Sequence, residues 1–184
     1  MTGDAALGRT SLHATAVIHG ESGVLIFGPS GSGKSALALA LMARASSAGA
    51  FGALIGDDRI FVREAGDRLI ASGAADTAGI IERRMAGLIA VPHEAAAIAR
   101  LAVELCERGR QWPRMPDVSD SLIIREVRLP RLALDSGLSV CDQALAVEER
   151  LTALAAQSRE RIRISLEHCA AVHKNAPPEI SPPV

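Results

Sequence analysis

Aromatic residues are nearly missing from this chain: three Phe, one Trp and no Tyr make up 2% of 184 residues. A core must therefore be built from Ala, Leu, Ile and Val within the 48% apolar content. Neither sign of charge is in excess. Twenty Lys and Arg against 21 Asp and Glu leave a formal net charge of -1, which argues against a mainly nucleic-acid or membrane-surface role. Cysteine is sparse as well. Cys106, Cys141 and Cys169 are far apart, odd in number and form no CxxC pair, which fits free thiols in a reducing cytoplasm better than a metal site. No apolar run is long enough to cross a bilayer. The first residues lack the basic-then-apolar order of a signal peptide. These absences predict a soluble, cytoplasmic chain whose length suits one domain over residues 1–174.

What is present begins with Gly28, Pro29, Ser30, Gly31, Ser32, Gly33, Lys34 and Ser35, which satisfy every fixed position of the P-loop spacing G-x-x-x-x-G-K-[ST]. The apolar run Val24–Phe27 leads into it and the strong helix formers of 36–43 lead out, giving the strand, turn and helix N-terminus that the motif requires. The glycines allow successive N–H groups to converge on phosphate oxygens, aided by the helix dipole. Lys34 suits the β and γ phosphates, and the Ser35 hydroxyl suits Mg²⁺. A Gly/Ser surface turn would need neither the Lys nor the flanks.

Around this motif the chain reads as an α/β fold, a P-loop-containing sheet flanked by helices. A strand is predicted over 11–18, a hairpin turn at 19–23, a helix over 35–47 and a buried strand over 51–55. A second hairpin spans 59–71 about a glycine turn, and 99–106 alternates as a strand. Residues 107–119 read as loop, and 122–134 as a strand interrupted by Pro130. One or two amphipathic helices follow from 139 to about 169, and the Pro-rich 175–184 reads as a disordered tail.

The second chemical feature is Asp57-Asp58, at the end of the strand after the P-loop helix. A carboxylate there is where a P-loop enzyme holds its magnesium shell. Successive side chains of a strand point to opposite faces, so the two acids cannot share one job unless the backbone kinks. One reading gives one acid to the metal and the other to an acceptor hydroxyl as general base; the other is a solvated turn capping a strand.

Four segments together resemble the HPr kinase/phosphorylase family, bacterial enzymes that phosphorylate a serine of the phosphocarrier HPr. Ser11-Leu-His13 is similar to the family's Ser-Met-His at the same distance from the P-loop. The P-loop is the second segment. Leu54-Ile-Gly-Asp-Asp-Arg-Ile60 resembles Leu-Ile-Ala-Asp-Asp-Arg-Val, and Ile80-Ile-Glu-Arg-Arg84 with Gly87-Leu-Ile89 resembles the signature Leu-Leu-Glu-Ile-Arg-Gly-Leu-Gly-Ile-Ile. The resemblance covers about residues 11–135. It implies the fold of that family's C-terminal domain, which is PEP carboxykinase-like, with ATP and Mg²⁺ as cofactors and HPr as partner. Lys34 would stabilise the transferring phosphate; Ser35, Asp57 and Glu82 would hold magnesium; Asp58 would be the catalytic aspartate. His13 and Arg114 would match an active-site histidine and arginine.

Departures from the family also carry information. The separate N-terminal domain is expected to be absent, as in the short alphaproteobacterial form. The family's hexamers make a homo-oligomer an option that this short form leaves open. Met85 replaces a signature glycine. The late Pro-Val-Arg-Pro-Gly-Arg loop, tied to the phosphorylase reaction, is reduced to Leu129-Pro-Arg-Leu-Ala-Leu134, so weak or absent phosphorylase activity is expected. The competing readings are a P-loop kinase for a small metabolite and a non-catalytic ATP-binding regulatory module. Arg83-Arg84 reads as a solvated basic pair or a phosphate or HPr contact.

Overall fold

The computed structural model describes residues 8–107 and 120–174. In chain order the elements are β1 (Thr10–Leu12), β2 (Thr15–His19), β3 (Ser22–Phe27), α1 (Lys34–Ser47), β4 (Gly52–Gly56), β5 (Ile60–Ala65), β6 (Arg68–Gly73), β7 (Ile80–Arg83), β8 (Gly87–Ala90), β9 (Ala96–Cys106), β10 (Ser121–Ile124), β11 (Val127–Asp135) and α2 (Val140–Lys174). The described residues up to Glu148 form one compact unit, and those from Glu149 a second, which holds the rest of α2. The expected tail at 175–184 lies outside the described residues.

β9 is the spine. One edge pairs in parallel with β3, from Gly23↔Ala99 to Phe27↔Glu104. Its other edge takes two partners in succession: β6 antiparallel from Ser72↔Ala96 to Leu69↔Ala99, then β11 parallel from Arg131↔Ala102 to Asp135↔Cys106. The mixed sheet runs β1-β5-β6-β9-β3-β2-β4, with β10 attached to β11. β7 and β8 form a separate hairpin. The strand expected at 99–106 thus begins three residues earlier, because β6 recruits alanines whose own propensity favours helix.

Two apolar layers result. Ala14, Ala16, Ile18, Leu25, Ala53, Ile55, Ile60, Val62, Leu69 and Ala71 belong to one buried cluster enclosed by the curling sheet. The alternation of β2 sends Thr15 and Val17 to the opposite face, toward α1. α1 offers that face Leu37, Ala38, Leu41, Met42 and Ala45, the i, i+3, i+4 rhythm of a half-buried helix. The small side chains expected from the shortage of aromatics let backbones come close. A Cβ on Gly73 would lie 2.1 Å from the carbonyl oxygen of Ile55, so β4 can approach β6 only with glycine there.

Two elements differ from the sequence reading. The strand expected over 11–18 is two strands, because at His13-Ala14 the chain leaves the β5 edge for the slot between β3 and β4. Pro130 does not interrupt the strand at 122–134; the break is the tight turn at Arg125-Glu126, where Arg125 has φ 56. Pro130 sits within β11 just before the β9 ladder starts at Arg131, so its missing N–H falls outside that ladder. Of the one or two helices expected after residue 139, the chain forms one, Val140–Lys174.

The start of α2 is tied to α1 by Arg44, which donates from Nε and Nη2 to the Glu148 carboxylate at 2.9 and 2.6 Å. The hydrogen bonds from Arg44 hold the Glu148 carboxyl below the usual glutamate range. A depressed folded-state value contributes stability above the unfolded-state pKa and loses it as pH falls through the folded one. Glu148→Gln should therefore lower the thermal midpoint at neutral pH, with the gap to the unaltered protein closing as the pH drops through and below the ordinary glutamate range. Thermal unfolding across that pH series checks this.

Candidate active site

The phosphate cradle is built by backbone conformation. Gly31 and Gly33 have φ 78 and 100, the left-handed region that side chains disfavour, and Gly33 serves as N-cap of α1 without any side-chain cap bond. The first intrahelical bond of α1 runs from Leu37 N–H to Gly33 O at 2.9 Å. The N–H groups ahead of it are left for a ligand, at the helix end that carries about half a positive charge. Gly28 is fixed by its neighbours, since a Cβ there would meet Leu105 O at 2.9 Å. Lys34 is buried and donates to the carbonyls of Gly28 and Pro29, both at 3.2 Å. Its ammonium therefore sits inside the loop's curl. The Ser32 hydroxyl is buried with no hydrogen-bond partner among the described residues.

Asp57 joins the two halves of the site. Its Oδ1 accepts from the Thr15 hydroxyl at 2.6 Å and from Asp58 N–H at 3.1 Å. Its Oδ2 accepts from the Ser35 hydroxyl at 3.1 Å and from Glu82 N–H at 3.4 Å. A hydroxyl that donates to a carboxylate keeps its lone pairs free, so Ser35 is presented as an oxygen donor. The β2–β4 pairing is irregular at this point, stepping from Ala16↔Gly56 to Val17↔Leu54 and leaving Ile55 as the extra residue. Such bulges re-aim side chains at strand ends.

The kink that two working aspartates would need is present. Asp58 has φ 60, and Arg59 N–H donates to Asp57 O at 2.7 Å, closing a tight turn. Asp57 and Asp58 consequently line one cavity of about 860 Å³ with Ser30, Gly31, Gly33, Lys34, Ser35 and Glu82. This is the size of a small-molecule site. His13 lies beside this group without lining the cavity: its Nδ1 is 3.1 Å from Asp58 O. A carbonyl can only accept, so Nδ1 carries the proton of that bond. Arg114 lies outside the described residues.

One contributor was not singled out by sequence reasoning. Thr15 is fully buried and looks like an ordinary β-branched strand residue until Asp57 is placed against it. Arg83 and Arg84, which the sequence left as a solvated pair or a phosphate or HPr contact, are exposed and line the cavity, and a Cβ on Gly31 would lie 3.7 Å from Arg84 Nη2. The far wall is apolar, made by Ala36, Leu39, Ala40 and Ala43 along one face of α1 with Ile89 and Val140. For a metal, the available donors are the oxygens of Ser35, Asp57 and Glu82, the chemistry that suits Mg²⁺. Among the described residues, no three His, Cys, Asp or Glu side chains are grouped to hold an ion by themselves. Mg²⁺ usually takes only one or two carboxylates, completing its shell with water and phosphate oxygens.

The sequence profile described as the HPr Serine kinase C-terminal domain matches residues 5–112. The chain belongs to that family. The HPr kinase fold is also found among solved structures. That of the Hpr(Ser) kinase/phosphatase from Coxiella burnetii superposes with a TM-score of 0.68 at 22% identity, covering 82% of this chain and 99% of that one. A search of curated proteins gave no match. Among the described residues no helix is long and apolar enough to cross a membrane.

Thr15→Val keeps the side-chain shape and deletes one of the four donors to Asp57. It should cost about 1 kcal/mol of stability, the net worth of one buried hydrogen bond. Thr15→Ser should recover most of that loss, as read by denaturant unfolding of the three proteins.

Proposed function

We propose that this chain is an ATP- and Mg²⁺-dependent kinase that phosphorylates a serine of HPr, with weak or absent phosphorylase activity. The observation that carries the reading is the left-handed turn at Asp58, which directs a second carboxylate into the cavity where Lys34 and the Asp57-held Ser35 meet. A nucleotide sensor needs the first carboxylate and the loop, but not the second. Membership of the HPr kinase family supports the choice of acceptor.

In this reading the protein works mainly by positioning and by neutralising charge. The loop N–H groups hold the phosphates, and Lys34 exchanges the carbonyls of Gly28 and Pro29 for phosphate oxygens. Ser35, Asp57 and Glu82 hold Mg²⁺, which when bound spreads the negative charge of the transferring phosphoryl group. Asp58 accepts the proton of the serine hydroxyl as that oxygen attacks in line. His13, through Nδ1–H on Asp58 O, keeps the turn in the conformation that aims the carboxylate. Arg114 enters as an active-site arginine on the family resemblance alone.

The phosphorylase part rests on β11. Where the family resemblance placed an arginine-containing loop, the chain runs as unbroken strand over Val127–Asp135. Arg131 within it is held between Glu104 and Asp120, the latter at 2.7 Å. A guanidinium engaged by two carboxylates is a poor receptor for inorganic phosphate.

Incubation with HPr, ATP and Mg²⁺ should add one phosphate to a serine of HPr, measured by intact mass and fragmentation, while a panel of small metabolites stays unmodified. Asp58→Ala and Lys34→Ala should each lower transfer by about 10²-fold or more, the scale of one preorganised group. Asp58→Ala should bind ATP nearly as tightly as the unaltered protein in calorimetry. Wild-type transfer by Asp58→Ala would remove Asp58 as the base. Brisk transfer of the phosphoryl group from seryl-phosphorylated HPr to added inorganic phosphate, with pyrophosphate as product, would refute the phosphorylase part.

A further inference from the structure

The β7–β8 hairpin carries backbone strain that nothing among the described residues offsets. Its strands pair from Ile80↔Ala90 to Arg83↔Gly87, and Ala86 N–H closes the turn on Arg83 O at 3.0 Å. Met85 occupies the third position of that turn with φ 66. Left-handed backbone at this position is the usual reason for glycine, because a Cβ crowds the following carbonyl. The Met85 side chain is fully exposed, at 101% of its reference area, so no packing offsets that cost. Leu88, on the same hairpin, is also largely exposed, while Ile81 is buried and anchors the base.

Charge points the same way. Arg83 and Arg84 immediately precede Met85, both are exposed, and neither forms an ion pair with a described residue. Both also line the phosphate cavity, and Arg84 leans over the P-loop at Gly31. A ligand confined to the cavity would reach the arginines but not Met85. Only a body that inserts a reacting group into the cavity and extends over its rim can touch all three.

We propose that the hairpin tip formed by Arg83, Met85 and Leu88 is the docking surface for the protein acceptor, and that Met85 enters an apolar recess on it bordered by carboxylates. This rests on the kinase reading above and adds to it which surface selects the protein substrate. The strain at Met85 is offset on docking, when its thioether side chain leaves water for a recess it can adapt to. Arg83 pairs with the acidic border, which speeds encounter and sets orientation.

Steady-state transfer to HPr, measured with the full chain at saturating ATP and Mg²⁺, tests this. Met85→Gly relieves the turn, so its thermal midpoint should equal or exceed that of the unaltered protein. Its KM for HPr should rise about fivefold or more, the threshold loss for an interface anchor, with kcat and KM for ATP within twofold. Met85→Leu should stay close to wild type and Met85→Asp should be worse than Met85→Gly. Arg83→Gln should weaken the dependence of KM for HPr on salt. An unchanged KM for HPr in Met85→Gly and Met85→Asp, with transfer intact, would overturn the docking surface and leave the kinase reading standing. Absence of any transfer to HPr by the unaltered protein would overturn both.

Discussion

The hydrogen bonds converging on the Asp57 carboxylate are the constraint on which the remaining geometry depends. A carboxylate half withdrawn from water is costly unless its lone pairs are used. Here they are used by two hydroxyls and two backbone N–H groups, drawn from β2, α1, the Asp57–Asp58 turn and β7. Satisfying one anion thus fixes the relative position of four chain segments. The same bonds orient Ser35 and place Glu82 at the cavity edge, so the arrangement that stabilises the fold is also the one that prepares the site.

The sheet explains how those segments reach one point. β3, β9 and β11 are parallel, and the P-loop motif follows β3, so the candidate phosphate cradle opens beyond the carboxyl ends of parallel strands. β4 lies two strands away but is bent inward by the irregular pairing at Ile55 and by the glycine contact with β6. That bend sets Asp57 against the first turn of α1. The shortage of aromatic residues fits this geometry, because a core of Ala, Val, Leu and Ile tolerates close backbone approach without large rings to accommodate. Of the three left-handed non-glycine residues among those described, Asp58 lies inside the cavity and Met85 at its rim, while Arg125 makes the β10–β11 turn.

The sequence alone determined the features whose physics is local. The P-loop was legible because glycine spacing, one Lys and one Ser encode a backbone shape and its charge within eight residues. The α1 face followed from helical rhythm, and two hairpins, expected over 11–27 and 59–71, from glycine turns between alternating runs; the structure sets them at 15–27 and 60–73. Asp57-Asp58 was legible as a pair, with the condition that a kink would be needed for both to serve one site. Only the tertiary structure decided the rest. Thr15 pairs with a residue 42 positions away, Arg83 and Arg84 face the cavity because a separate hairpin folds over α1, and Arg131 is locked by carboxylates from another strand and a connecting segment. Such contacts arise from strand order and register, long-range choices made by the burial of the whole apolar set, and no short window of residues contains them.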